Sequence, residues 1–222
     1  MVLNYYMNII DTSTNLKDSS LDNSIENIPL FEIKPVEYEI PDSLTSDIIF
    51  QSVASVKHFK HFEICKKTNV FAMGESTKRA LEKIGIYSTT PEIPGSSSLK
   101  ELLGKKLMNR KFAIVKGLDG LDEVHNHVIK YGADVENIVC YKRKRFLNYM
   151  EIREKFIEAD VVIFSSTYAA EIFFENIHNA NNTMSFICIS ERIEEYINKL
   201  GYEAKTINYF SSDLLNEIKK TI

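Results

Sequence analysis

A chain of 222 residues with 44% hydrophobic and 26% charged residues, 8 Gly and 5 Pro has the composition of a folded globular protein, and excludes a disordered or fibrous one. Its 27 basic and 31 acidic residues leave a net charge of −4, which argues against a globally basic nucleic-acid binder. At roughly 150 residues per domain, the length allows one large domain or two small ones. Cys65, Cys140 and Cys188 are too scattered for a disulfide framework and form no C-x-x-C pair, so a reducing, cytoplasmic address is expected. No stretch approaches the roughly 20 apolar residues of a membrane helix. Residues 1–10 have no Lys or Arg ahead of their short apolar run, so a secretory signal is not expected.

Taken in chain order, Tyr6–Ile10 reads as a first strand, and the polar segment Asp11–Asn27 carries only a weak helical signal. Pro29 and Pro35 disfavour helix between them, so this segment is expected to be extended. Asp47–Phe50 is a short continuous apolar run, as suits a strand buried on both faces of a parallel sheet. Ser52 stands at an N-cap position, ahead of a helix patterned by Val56, Phe59 and Phe62. A strand at Val70–Met73 leads to a helix ending near Gly85, a suitable C′ residue. Phe112–Val115 reads as a strand, residues 116–120 as a loop, Leu121–Tyr131 as a helix closed by Gly132, and Ala133–Tyr141 as another strand. Val161–Phe164 and Phe186–Ile189 are the strands of the last part, with helices following Ser166 and ending near Gly201.

The grammar repeats. Asp47-Ile-Ile-Phe50-Gln-Ser52 recurs as Val161-Val-Ile-Phe164-Ser-Ser166, with Phe50 and Ser52 offset by 114 from Phe164 and Ser166. Asn69–Gly74 with Leu81 and Gly85 recurs as Ser185–Ser190 with Ile197 and Gly201, offset by 116. Ser97-Ser98-Leu99 recurs as Ser211-Ser212-Asp213, offset by 114. Two similarly built α/β halves are implied. The last half is one strand short, and the N-terminal strand is expected to fill the gap by pairing with strands beyond residue 146. The expected organisation is a discontinuous first domain of residues 1–29 and 146–222, linker strands at 30–38 and 137–145, and a second domain at 39–136.

At this point the chain resembles the uroporphyrinogen-III synthase family over nearly its whole length. Asn27-Ile-Pro-Leu-Phe-Glu-Ile33 is similar to the family's P-L-x-x-I entry into its first linker. Residues 47–56 resemble D-x-(I/L)-(I/V)-F-T-S-x-x-(A/G)-V. Met73-Gly74-Glu-Ser-Thr77 with Leu81 and Gly85 resembles (V/I)-G-x-x-T-x-x-x-L-x-x-x-G, and Val115-Lys-Gly117 with Leu121, Gly132, Val135 and Tyr141 resembles the family's third motif. Departures are Asp11-Thr-Ser after the first strand where Arg is usual, Val53 and Thr167 where Pro is usual, and Lys116 where Arg is common, with no Arg after Gly120. Ser190-Glu-Arg-Ile193 replaces Gly-x-x-Thr in the last half.

The resemblance implies two small α/β domains, each a parallel sheet flanked by helices, joined by a two-stranded linker. It implies a monomeric cytoplasmic lyase without metal or organic cofactor, with no nucleic-acid or membrane partner. The implied reaction cyclises linear hydroxymethylbilane, inverting ring D through an azafulvene and a spiro-pyrrolenine, with loss of water. Handover of the substrate from hydroxymethylbilane synthase is a further expectation. The substrate carries eight carboxylates, and strand-to-helix turns at the carboxyl edge of a parallel sheet offer free N–H groups for them. The candidate binding residues are Ser52, Val53, Ala54, Ser76, Thr77, Lys116, Gly117, Ser166, Thr167 and Tyr168. As plain helix caps, Ser52, Thr77 and Ser166 would each stabilise by about 1 kcal/mol. Tyr141, at a strand end where the family's recurrent tyrosine falls, is the candidate catalytic residue. Its phenol, with an ordinary pKa near 10, can donate a proton to the departing hydroxyl. The competing reading is a ring that packs a linker. Ser52, Thr77, Ser166 and Tyr141 are expected to border one cleft, because a single tetrapyrrole must reach both halves.

Other features read blandly. Lys142-Arg-Lys-Arg145 is expected to be a solvated linker, with one or two members contacting substrate carboxylates as the alternative. His58 and His61 lack a Glu or Cys to complete a zinc set, and no G-x-G-x-x-G or P-loop is present. The rival from a different class is a non-catalytic two-domain ligand-binding or regulatory protein of the same fold. A hinge-bending binding protein of export origin is disfavoured by the missing signal sequence.

Overall fold

The computed structural model describes residues 7–14, 24–40, 45–179 and 183–222. Tyr6 and the greater part of the Asp11–Asn27 segment lie outside them. The chain divides into two compact units: unit 1 comprises Met1–Glu32 and Lys144–Ile222, unit 2 Ile33–Arg143. Both divisions fall inside the segments 30–38 and 137–145.

Unit 2 contains β4 (Asp47–Phe50), β5 (Asn69–Ala72), β6 (Lys111–Gly117) and β7 (Asp134–Arg145), with β3 (Phe31–Pro35) at one edge, in the order β3-β7-β6-β4-β5. The pairings β4–β5, β4–β6 and β6–β7 are parallel. Consecutive parallel strands need crossover helices, and α1 (Val53–His58), α2 (Glu75–Glu82), α3 (Ser96–Leu103) and α4 (Glu123–Lys130) supply them. One sheet face, with Ile48, Phe50, Ala113 and Val115, packs on Val56 and Leu81 of α1 and α2. The other, with Ile49, Phe112 and Ile114, packs on Leu99, Leu103, Val124 and Val128 of α3 and α4. Alternate residues of each strand thus serve opposite cores, which is why these strands are uninterrupted apolar runs.

Unit 1 contains β1 (Ile9–Asp11), β2 (Ile25–Asn27), β8 (Val161–Phe164), β9 (Ser185–Cys188) and β10 (Ala204–Thr206), ordered β10-β9-β8-β1-β2. Its helices are α5 (Met150–Lys155), α6 (Thr167–Asn176), α7 (Glu191–Lys199) and α8 (Leu214–Thr221). Ile9, Ile163 and Ile187 pack on Leu214 and Ile218 of α8. On the other face Phe164 and Phe186 meet Phe173 and Phe174 of α6. The N-terminal strand β1 does pair with a strand from beyond residue 146, with Ile9 opposite Val161.

The registers sharpen the repeat. If β4 matches β8, then β1 holds the place of β6 and β2 the place of β7, with Ile25–Asn27 falling on Val135–Asn137. The sequences agree: Ile25-Glu-Asn-Ile28 and Val135-Glu-Asn-Ile138 differ at one position. Continuing the same sequence offset of 110, Phe31 falls on Tyr141.

Several element boundaries differ from the sequence reading. α1 stops at His58, and residues Phe62–Lys67 form a 3₁₀ turn instead of continuing it. Phe59 and Phe62 leave the helical pattern to stack around Phe50. Ile25–Asn27, inside the segment with a weak helical signal, is strand. β10 is too short and too polar to stand out in the sequence.

Candidate active site

At the carboxyl edge of the unit 2 sheet, Gln51 and Ser52 turn the chain from β4 into α1. Ser52 is the N-cap: its Oγ accepts the N–H of Ser55 at 3.0 Å, while the Ser55 Oγ accepts the Ser52 N–H at 3.1 Å. This reciprocal capping box fixes the Ser52 hydroxyl. Tyr141 reaches it from β7, 89 residues away in sequence, with its phenol oxygen 2.9 Å from Ser52 Oγ. Burial pushes the Tyr141 phenol above its ordinary value; the Ser52 hydrogen bond and the charge of Arg143 pull the other way without cancelling it. The phenol therefore stays protonated at neutral pH.

Gly117 lies against the Tyr141 ring: a Cβ there would sit 2.6 Å from two ring carbons, so any side chain would displace the ring. The loop that follows is pinned at several points. Leu118 N donates to Tyr141 O at 2.9 Å, Gly120 N to Gly117 O at 2.9 Å, and Arg143 Nη2 to Asp119 O at 3.1 Å. Lys116, 3% exposed, turns its ammonium back onto Asp122 and closes the same loop. That cation, expected from sequence to meet a ligand carboxylate, is held by a carboxylate six residues away.

Val53 and Ala54 form the first turn of α1 beside this pair. Ser76 and Thr77 lie in the first turn of α2, the helix adjacent to α1. Thr77 is not a cap, however. Gly74 occupies the N-cap, where an added Cβ would meet the Pro94 ring at 2.9 Å, and Thr77 is buried one turn into the helix with its N–H on Gly74 O. In unit 1, Ser166 caps α6 through Ala169 N at 3.1 Å. Tyr168, in the same turn, meets the Phe31 ring edge-on at 4.9 Å and lies under the Arg145 guanidinium at 5.5 Å. Thr167 is the first residue of that helix. Unit 2 thus gathers Ser52, Val53, Ala54, Ser76, Thr77, Lys116, Gly117 and Tyr141 at one sheet edge, and unit 1 carries Ser166, Thr167 and Tyr168 at its own.

The two halves differ chemically where they match structurally. Tyr141 places a hydroxyl on Ser52, whereas its counterpart Phe31 has none to offer Ser166.

Gln51 was not among the candidate residues read from the sequence, and Arg143 entered only as one of the four residues of the basic run at 142–145. The available signal was strand alternation: Tyr141, Arg143 and Arg145 are partly buried while Lys142 and Lys144 are exposed. The basic run is therefore no uniform solvated linker. Arg145 binds Glu171 and Glu175 of α6, and Lys144 faces Glu32 at 3.7 Å. Among the described residues no group of His, Cys, Asp and Glu is arranged to hold a metal ion, and no helix is long and apolar enough to cross a membrane.

Comparison with known proteins agrees with this architecture. The chain superposes on uroporphyrinogen-III synthetase from Helicobacter pylori 26695 with TM-score 0.70 and 14% identity, covering 96% of this chain and 98% of that one. A mutant uroporphyrinogen III synthase from the extremely thermophilic bacterium Thermus thermophilus gives TM-score 0.63 at 13% identity, covering 96% and 98%. No curated protein matches the chain by sequence. Residues 22–209 match the family described as Uroporphyrinogen-III synthase HemD, and the chain belongs to that family.

Proposed function

We propose that Tyr141, held by Ser52, is the proton donor of a uroporphyrinogen-III synthase reaction, and the single observation that carries this reading is their 2.9 Å hydroxyl contact at the sheet edge of unit 2. Cyclising lyase activity on hydroxymethylbilane is the activity of the family to which the chain belongs. The assignment of residues to it is ours. Ser52 Oγ already accepts the Ser55 N–H. When its own proton points to the phenol oxygen, the phenol proton is left for the substrate.

That proton passes to the oxygen of the hydroxymethyl group, the carbon–oxygen bond breaks, and water leaves. The pyrrole nitrogen lone pair compensates the carbon, giving the azafulvene, which the substituted α-carbon of ring D attacks to form the spiro-pyrrolenine. The bond from that carbon to the ring C methylene then breaks and re-forms at the other α-carbon, inverting ring D. Closing the macrocycle releases one proton, which restores the phenol, so the sum is hydroxymethylbilane to uroporphyrinogen III and water. A buried phenol kept protonated suits the donor role better than the base role. Because a hydroxymethylpyrrole ionises readily, holding the bilane in the folded geometry is the larger part of the rate. The first turn of α2 at Ser76, and that of α6 at Thr167 and Tyr168, offer backbone and hydroxyl donors to its acetate and propionate groups. Val53 and Ala54 lie beside Tyr141 in the first turn of α1, while Thr77 and Gly117 are buried behind them and support the site without reaching the substrate.

In our reading the chain works as a cytoplasmic monomer and receives its reactive substrate from hydroxymethylbilane synthase. The intact Ser52–Tyr141 pair argues against a non-catalytic relative of the fold. The test supplies enzymatically made hydroxymethylbilane and separates the oxidised products. Type III isomer above the spontaneous type I background supports the reading. Tyr141→Phe should slow type III formation by about 10²-fold, the low end for a lost proton donor. An unchanged rate would remove Tyr141 from the mechanism.

A further inference from the structure

Gln51 stands between the end of β4 and the cap Ser52. Its backbone N–H donates to Val115 O at 3.1 Å, which ties its main chain to β6. Its side chain crosses to the next turn, where Nε2 donates to Leu121 O at 3.1 Å. Gly120 is walled in by the same amide: a Cβ there would meet Gln51 Oε1 and Lys116 Cε at 2.9 Å and Gly117 O at 3.0 Å. Gln51 therefore grips the far end of the loop whose near end, Gly117, lies on the Tyr141 ring. Arg143 holds the middle of that loop through Asp119 O. The Tyr141 hydroxyl is thus located from two sides, by Ser52 at its oxygen and by the loop against its ring, and Gln51 joins the two. The Thr of the family pattern at this position has no atom beyond its γ carbon and oxygen, too short to replace the Gln51 amide, so the tether belongs to this chain.

We infer that Gln51 is a positioning residue for the Tyr141 hydroxyl, acting by keeping the Gly117–Leu121 loop seated on the tyrosine ring. It touches no reacting atom in this role. The inference rests on the proton-donor reading of Tyr141.

The experiment is a double-mutant cycle on the full chain, with hydroxymethylbilane as substrate and kcat, KM and the type III share of product as readouts. Gln51→Met keeps the length of the side chain and removes its donor. It should lower kcat about three- to tenfold with KM within about twofold, and should lower the type III share, since small misplacements act on rate before binding. In a Tyr141→Phe background the same change should cost nothing further, because the hydroxyl it positions is gone. Gly120→Ala, whose methyl group presses on the Gln51 amide oxygen and the Gly117 carbonyl and so wedges the loop away from Gln51, should reproduce the pattern. Gln51→Asn, whose amide falls one methylene short of Leu121, serves if Gln51→Met fails to fold. Full kcat and type III share in the Gln51 variants, beside a slow Tyr141→Phe, would overturn this inference alone. An equal loss in the Tyr141→Phe background would also overturn it, by showing that Gln51 acts elsewhere. Full activity of Tyr141→Phe would instead overturn the proton-donor reading and the inference built on it.

Discussion

Gly117 and Tyr141 are paired across β6 and β7 so closely that a methyl group on the glycine would overlap the phenol ring at 2.6 Å. The contact falls where the β6–β7 register shifts, between Lys116 and Gly117. This irregularity turns the Gly117 backbone under the ring.

Gly117→Ala should therefore damage activity more than stability. The clashing atoms are the far end of a side chain, which can swing aside for about 1 kcal/mol of lost packing. Swinging aside takes the hydroxyl off Ser52. Type III formation should fall by about 10- to 100-fold while the thermal midpoint drops by only about 2–4 °C. Rate measurement beside thermal unfolding checks this, and a fully active alanine variant would show that the ring position is not needed.

The pH profile follows from the protonation of Tyr141. Burial raises its phenol above the ordinary value, so the acid form persists through neutrality and is lost only in strong alkali. The kcat for type III formation should stay level between about pH 6 and 9 and decline only above the ordinary tyrosine value of about 10. A decline centred near pH 8 would point to a different donor.

Asp47, fully buried at the start of β4, is a stability site in unit 2. Burial alone would raise its carboxyl. Hydrogen bonds from Arg110, Ser46 and Asn69, with the Arg110 charge, outweigh that and hold it below the ordinary range. A lowered folded value contributes stability that is complete above the unfolded value, about 3.9, and is lost as pH falls below it. Asp47→Asn should cost roughly 2 kcal/mol at pH 7. Denaturant unfolding at pH 7 and pH 3 tests this: the gap between variant and parent should close at the lower pH.

In unit 1, His178 has both ring nitrogens buried without hydrogen-bond partners among the described residues. Phe173, Phe174, Phe186 and Tyr202 surround it, and burial pushes its imidazole below the ordinary value. As pH falls through about 6.5 the unfolded chain takes up the proton first, so stability drains away below that point until the folded imidazole titrates. His178→Phe should raise the thermal midpoint, and by more at pH 5.5 than at pH 7.5. An equal gain at both values would show that the imidazole keeps its ordinary value in the folded chain, against the burial argument.

The sequence by itself determined the fold class and the two-fold repetition. Asp47–Phe50 and Val161–Phe164 form strands with the bounds read from the sequence, because Ile48–Phe50 and Val161–Phe164 are apolar and buried on both faces, and Asp47 at the first strand's start is buried against Arg110. Gly85, Gly132 and Gly201 end their helices with φ of +78°, +81° and +89°, a conformation that only glycine adopts without strain. These are local consequences of periodicity and backbone sterics. Where packing competed with periodicity the reading failed: Phe59 and Phe62 fit a helical stripe, but their rings bury more completely against Phe50 once α1 ends early. Only the tertiary structure decided the site. Ser52, Gly117 and Tyr141 meet because β4 and β6 end where β7 crosses the same sheet edge, a fact of register that no local pattern encodes. β7 runs on past Tyr141 to Arg145, and not only to Tyr141 as read from the sequence. The partner of Lys116 was decided in the same way, since Asp122 reaches it only after the glycines of the loop fold the chain back. The strand order, with β1 standing in for β6, was likewise visible only once the chain was folded. Secondary structure follows from which residues are apolar and how they are spaced; chemistry here follows from which strand ends become neighbours.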